Sequence, residues 1–344
     1  MTAEWRHVTA RFHQFIANLQ PPPERRWAAR KAAADVAMCL RQRFRSGDGF
    51  PPADSSAAVP DDYAVIGGHA KGTAIRPGRT VDMLYVLPAA LRPDGGPQEG
   101  AGPGPLIRDV AAVLSARYGA VDVAGEGWIA CAGGAIGDGT AVRVIPCFPC
   151  TEGGFLIAAP GAGWRHANPL AEAARLRLAD RVSANKATHL IVMAKAWRQA
   201  HGVAMGGLAL ELLACEFVGL WTYQRRSLLF YDWMVRDFFF WLGLQGRRAL
   251  PVPGAMETVH AGDGWPDDAQ AAYATARHAC RLERDNRDDE AREHWVDIFG
   301  PAFADAPAAA RPDTSLPGTA PWRAPPPPLM PSSESSPESS SAHS

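Results

Sequence analysis

The chain has 344 residues, of which 47% are hydrophobic, and a formal net charge of −1. That length and apolar content predict a bilobal body or two domains around a substantial core, while the near-zero charge excludes an overall basic field and with it non-specific duplex binding as the main task. Glu4, Arg6 and His7 interrupt the opening residues and Asp232, Arg236 and Asp237 interrupt the apolar stretch 228–244, so neither a leader nor a membrane span is expected and the expected location is the cytoplasm.

Val8, Phe12, Phe15, Ile16 and Leu19 recur at helical spacing, as do Ala33, Val36, Ala37, Leu40 and Phe44, with three prolines at 21–23 between them. Two helices therefore open the chain. Residues 47–62 form a connector rich in Gly, Pro, Ser and Asp. A short strand at 63–66 ends in Gly67 and Gly68, and a second strand follows at 81–87 after a turn at 76–79. The polar, Gly- and Pro-rich stretch 92–105 reads as a surface insertion, and 106–118 as a helix. Apolar runs at 121–123, 128–132, 141–145 and 155–158, bounded by glycines, predict strands of a small mixed sheet.

From Asn168 the periodicity becomes helical. Leu190, Met193, Ala194 and Trp197 mark one apolar face, and 208–221 is apolar nearly all round, as a central helix would be. Segments 228–244 and 267–299 complete a helical half, the second heavily charged between Arg281 and Arg292 and so expected to be solvated. The Ala-, Pro- and Ser-rich stretch beyond Gly300 cannot bury enough apolar surface to fold and is expected to be disordered. The pattern predicts an α+β protein: N-terminal helices at 1–45 packed on the body, a mixed-sheet core at 46–165, a helical lobe at 166–300 and a tail at 301–344.

Six cysteines scattered through the chain suit a reduced compartment. Cys147 and Cys150 form a C-x-x-C with no second ligand pair nearby, so they read as small residues closing a buried strand. His69, His189 and His294 have no Cys, Asp or Glu partner at ligand spacing and read as satisfied or solvent-facing histidines. Arg25, Arg26, Arg30, Lys31, Arg41, Arg43 and Arg45 read as one solvated helix face, and the run Phe238, Phe239, Phe240, Trp241 as core.

The chemistry concentrates between residues 67 and 84. Gly67, Gly68, His69, Ala70, Lys71, Gly72, Thr73, Ala74, Ile75, Arg76, Pro77, Gly78, Arg79, Thr80, Val81, Asp82 describe a strand, a glycine turn, a short helix and a second strand carrying an acid. Glycines let backbone N–H groups approach phosphates, and carboxylates on the second strand hold magnesium during in-line displacement. This stretch resembles the G-S-x-x-x-G-T-A-I-R-P-x-x-D-V-D signature of the cGAS/DncV-like nucleotidyltransferases (CD-NTases). The surroundings are similar in order: His13 to Pro21 resembles the family's N-terminal helix and turn, Val144, Ile145, Pro146, Cys147, Phe148 the strand that brings the third carboxylate, and Lys195, Ala196, Trp197 the lysine motif of the helical lobe.

The resemblance implies a nucleotidyltransferase (polymerase beta-like) fold, nucleoside triphosphates as ligands, magnesium as the cofactor of an active member, and a role in cyclic-oligonucleotide signalling of anti-phage defence, with partner proteins of a defence system. It implies phosphate contacts for Gly67, Gly68, Lys71, Thr73 and Lys195. The departures are equally specific. The first metal-binding acid falls on Thr80, the second on Asp82 and the third on Arg143, so one carboxylate of three remains. The signature serine is Gly68, and the serine of the helical lobe falls near Gly206 or Gly207. Asp82 alone should hold magnesium weakly, and Arg143 is expected to pair with Asp82 in the place of an ion.

Three readings follow. The first is a catalytically impaired, nucleotide-binding or regulatory pseudoenzyme. The second is an active enzyme using Asp82 with another acid, Asp122 or Asp138. The third is an interaction scaffold working through its tail, where Pro325 to Pro328 suit a polyproline groove.

Overall fold

The computed structural model describes residues 5–45, 62–92, 102–124, 128–132, 139–159, 163–225 and 230–304, which belong to one compact unit, Met1–Ala309. The connector up to residue 61, the core of the insertion, Asp138 and the tail beyond Ala304 lie outside the described residues, whereas residues 301–304, expected to be disordered, form a short helix that buries Phe303.

Two helices open the chain, α1 (Trp5–Leu19) and α2 (Pro23–Phe44), and they serve different halves. On α1, Phe12 and Phe15 pack edge-on and tilted against Trp295, Phe299 and Phe303 near the other end of the unit. On α2, the small side chains Ala29, Ala32, Ala33, Val36, Ala37 and Leu40 form a flat stripe that lies against the sheet. Its arginines do not all face water. Arg41 makes a two-pronged pair with the fully buried Asp62 (2.7 and 2.6 Å), and Arg45 donates to the Val86 carbonyl (3.0 Å).

The sheet runs β1 (Tyr63–Ile66), β2 (Thr80–Val86), β5 (Ala141–Pro149), β4 (Trp128–Ala132), β3 (Val121–Ala124), with β6 (Phe155–Ala159) paired to β5 and β7 (Gly163–Ala167) to β6. One pairing, β2 with β5, is parallel; the others are antiparallel. Between β1 and β2 lies the short helix α3 (Gly67–Lys71), and after β2 the helix α4 (Gly104–Tyr118) covers one face of the sheet. Strand period then decides which side chains meet which neighbours. Val81, Met83 and Tyr85 of β2, with Val142 and Val144 of β5, face α2 and α4. The alternate positions, Asp82 and Leu84 of β2 and Arg143, Ile145 and Cys147 of β5, turn to the opposite face.

The helical half contains α5 (Pro169–Ser183), α6 (Lys186–His201), α7 (Gly207–Leu220), α8 (Tyr231–Leu242), α9 (Pro266–Arg284), α10 (Asp288–Phe299) and α11 (Pro301–Ala304). As expected for a central element, α7 is buried from Ala209 to Cys215 and again at Phe217 and Val218. The single helix expected over 267–299 is two. The chain turns at Asp285–Arg287, where Asn286 adopts φ 57°, a left-handed conformation that asparagine tolerates better than most residues. A small hairpin, β8 (Ala249–Pro251) with β9 (Thr258–His260), interrupts the helices. Phe238 and Phe239 are core, whereas Phe240 is exposed. No helix among the described residues is long and apolar enough to cross a membrane.

Candidate functional site

A cavity of about 630 Å³ opens between the face of β2 and β5 that carries Asp82 and Arg143 and the helices α5, α6 and α7. All the residues singled out for chemistry line it: Gly67, Gly68, Lys71, Thr73, Thr80, Asp82, Arg143 and Lys195. Chain direction explains the convergence. β1 delivers Gly67 and Gly68 at its end, the turn carries Lys71 and Thr73, β2 brings Thr80 and Asp82, and β5 runs parallel beside it.

The turn depends on its glycines. Gly67 adopts φ +64°, and a Cβ there would lie 2.8 Å from Asp82 Oδ2, so the backbone is pressed against the carboxylate. A Cβ on Gly68 would lie 3.1 Å from the Ala74 nitrogen, on the segment where Thr73 and Ala74 both donate N–H bonds to the Gly68 carbonyl (2.9 and 3.0 Å). Gly67→Ala therefore combines left-handed strain with a short contact, at about 2 kcal/mol. It should lower the melting temperature by roughly 3 °C in a thermal unfolding scan, given the size of the unit.

Asp82 and Arg143 are partners in the parallel register. Arg143 Nη1 lies 3.2 Å from Asp82 Oδ1, an ion pair whose angles are not those of a hydrogen bond. The same guanidinium sits 4.6 Å from the centroid of the Trp128 ring, on the neighbouring strand, so it is held from two sides. Burial nonetheless raises the Asp82 carboxyl above its usual range, against the pull of Arg143, His69 and both lysines. His69 lines the cavity beside this group and is satisfied by a backbone bond with Thr80. Burial lowers its pKa, opposed by Asp82 and a backbone bond with Thr80, so it favours the neutral ring. Thr80 is exposed at the rim and supplies no charge. Of the substitute acids considered for Asp82, Asp122 is exposed on β3 and does not line the cavity.

On the helical side one carboxylate organises the cations. Glu211 of α7 accepts from Lys71 (2.7 Å), from Lys195 (2.6 Å) and from the Thr73 hydroxyl (3.0 Å). Lys71 also pairs with Glu172 of α5 (2.8 Å), and Lys195 donates to the Thr73 hydroxyl and carbonyl (2.9 and 3.1 Å). Burial would raise the Glu211 carboxyl, but Lys195 and Lys71 outweigh it and hold it below its usual range. Burial lowers Lys195, only partly offset by Glu211. For Lys71 burial also works downward, but Glu211 and Glu172 together leave it raised. Gly206 caps α7 and Gly207 is its first residue, so no hydroxyl stands where the serine of the helical lobe was expected.

No family model matches the sequence, and no curated protein sequence matches it. Solved structures do. CdnC from E. coli MS115-1, in a structure with ATP, superposes with a TM-score of 0.62 at 14% identity, over 86% of this chain and 98% of that one. The GTP-bound form of DncV from Vibrio cholerae gives 0.61 at 12%, over 86% and 96%. The CdnE c-di-GMP synthase from Capnocytophaga granulosa gives 0.56 at 11%, over 82% and 84%. The fold is that of the cGAS/DncV-like nucleotidyltransferases.

Within that fold the residues present do not suit a pair of magnesium ions. Magnesium dehydrates reluctantly and needs several hard oxygens in near-octahedral array. Among the described residues the cavity wall formed by the strands offers Asp82 alone, and its Oδ1 is met by a guanidinium in a position from which a dication would be repelled. Glu211, Glu172 and Trp128 escaped the reading of the sequence. Glu211 and Glu172 lie 140 and 101 residues from Lys71, too far for any local spacing to connect them.

Proposed function

We propose that this protein is a nucleotide-binding member of the cGAS/DncV-like nucleotidyltransferases that has lost efficient phosphoryl transfer and serves bacterial anti-phage, cyclic-oligonucleotide signalling as a regulatory pseudoenzyme in the cytoplasm. One observation carries the reading: Arg143 stands in register with Asp82 and pairs with it where the fold's chemistry calls for a metal-binding acid. The loss of Thr80 as a carboxylate supports it, since magnesium supplies charge neutralisation to phosphoryl transfer and a single paired acid leaves that charge unmet.

Nucleotide binding is supported separately. Gly67, Gly68, Lys71, Thr73 and Lys195 converge on one cavity, and an anion-binding turn with two lysines can hold phosphates without a metal. The CdnC structure with ATP and the DncV structure with GTP hold nucleotides in neighbours of this fold, and CdnC is also found in a complex with HORMA-deltaN, so a protein partner is part of this reading.

The test is incubation of the full chain with labelled nucleoside triphosphates and magnesium or manganese, with products resolved by chromatography and nucleotide affinity measured by calorimetry. The expected result is measurable binding of ATP or GTP with no oligonucleotide formed. A cyclic or linear product that disappears in Asp82→Ala overturns the reading in favour of an active enzyme.

A further inference from the structure

The helical half buries a second polar cluster, remote in sequence from the cavity residues. Asp232 lies in the first turn of α8, and Cys280 and Glu283 sit three residues apart near the end of α9, on one face of that helix. One donor atom from each, a carboxylate oxygen, a thiol sulfur and a carboxylate oxygen, lies within 4.8 Å of the other two. Asp232 is 6% exposed and Glu283 9%. Such burial is unusual for acids and demands partners.

The partners are incomplete. Trp295 Nε1 donates to Glu283 Oε1 (2.9 Å) and thereby orients the carboxylate, leaving Oε2 without a hydrogen-bond partner among the described residues. Asp232 accepts from the backbone N–H groups of its own helix turn and from the Cys280 thiol, yet its Oδ1 is equally unpartnered. Two dry carboxylates side by side also repel. Burial raises both carboxyls above their usual range, and Asp232 adds to the rise at Glu283. Arg236 and Arg11 act on the pair from outside, but neither relieves the two unpartnered oxygens.

We propose that Asp232, Cys280 and Glu283 bind a divalent transition-metal ion of the zinc class, which ties α8 to α9. The donor set chooses the metal. A thiolate with two carboxylates suits zinc, whereas magnesium and calcium take oxygen alone. Zinc–oxygen and zinc–sulfur bonds of about 2.0–2.3 Å would place the three donor atoms about 3.5 Å apart, a contraction of about 1 Å that rotation of these side chains supplies. On binding, the S–H bond of Cys280 and the O–H bond of whichever carboxyl is protonated break, the freed electron pairs bond the metal and the protons pass to solvent. Three anionic ligands around a dication leave one negative charge; Arg236 and Arg11 act on the cluster from outside, while their own ion pairs are with Asp237 and Asp288. The Trp295 bond to Glu283 is the kind of outer contact that fixes a ligand's orientation. Cys280 is only partly buried, and a water as fourth ligand would complete the coordination of such an ion.

The full chain, freed of metal by a chelator, should take up one equivalent of Zn²⁺ in a calorimetric titration, with a rise in melting temperature. Co²⁺ should give a sulfur-to-metal charge-transfer band that is absent in Cys280→Ser, and Asp232→Asn should weaken Zn²⁺ at least tenfold. The band should persist in the double variant Cys147→Ser/Cys150→Ser, the competing thiol pair. Should Cys280→Ser fail to fold, X-ray absorption on the zinc-loaded wild type decides, with one sulfur and otherwise oxygen or nitrogen expected around the ion. No Zn²⁺ uptake, a cobalt band retained in Cys280→Ser, or two or more sulfurs at the metal overturns the proposal.

Discussion

The double variant Thr80→Asp/Arg143→Asp should bind magnesium at least about a hundredfold more tightly than the wild type, a gain of about 2.8 kcal/mol. The effect is large because Arg143→Asp changes the local charge by two units beside Asp82, at the distance where Arg143 Nη1 now stands 3.2 Å from the carboxylate. Even at the screened effective dielectric suited to protein sites, one unit of charge at about 4 Å is worth about 4 kcal/mol before desolvation is subtracted. Thr80 adds a third acid two residues before Asp82, and alternation along β2 puts both on the same face of the strand.

In the absence of metal this variant should be less stable than the wild type. Asp82 and the new aspartate would then be like-charged neighbours in a parallel register, and Trp128 would lose the guanidinium on its ring. Magnesium should restore the melting temperature in a concentration-dependent way, as any ligand of the native state does. Calorimetry and thermal scans at several magnesium concentrations check both halves of the claim. Restored binding with the appearance of an oligonucleotide product would mean that the rest of the cavity still supports synthesis. A variant that folds yet binds magnesium no better than the wild type would remove the electrostatic account of Arg143.

Why Arg143 could be foreseen and Glu211 could not is a matter of range. The resemblance to the family's strand motifs puts Arg143, just before Val144, at the position of an expected acid beside Asp82, whereas no motif or local spacing marks Glu211 as the partner of the lysines. The mixed sheet and the helical half were legible from apolar runs and helical periods that extend over enough residues to count. Elements of three residues, such as β8 and β9, have no period to read, and β7 buries Trp164 on one face and Ala167 on the other, with Arg165 and His166 between them, so it shows no alternation. The break at Asn286 turns on one backbone angle inside a continuous helical pattern. Likewise the charged run that looked solvated conceals Glu283, buried because Trp295 and Asp232 converge on it from two other helices. Side chains that meet across more than a hundred residues leave no mark on local spacing.

Glu211→Gln should cost about 3 kcal/mol of stability and, in the same variant, strengthen the binding of tripolyphosphate. The wild-type carboxylate neutralises two lysines at once, and the side chains of Lys71, Lys195 and Glu211 are 5, 12 and 10% exposed. Breaking a buried pair by removing one charge typically costs about 3–5 kcal/mol, and the residual exposure here argues for the lower end. Lys71 keeps Glu172, but among the described residues the one ion pair of Lys195 is with Glu211. The melting temperature should fall by roughly 5 °C, given the unfolding entropy of a unit this size.

The pH response gives an independent check. A carboxyl held below its usual range stabilises the fold above its ordinary pKa, and that contribution fades as pH falls through its native value. The wild type should therefore lose stability on acidification more steeply than the glutamine variant. Burial lowers Lys195, and without Glu211 nothing of opposite charge offsets that burial as closely, so the variant should regain stability as pH rises and the lysine sheds its proton. Tripolyphosphate supplies the missing negative charge, so it should raise the variant's melting temperature more than the wild type's. Equal stabilisation of both proteins would show that phosphate does not reach the lysines that Glu211 now holds.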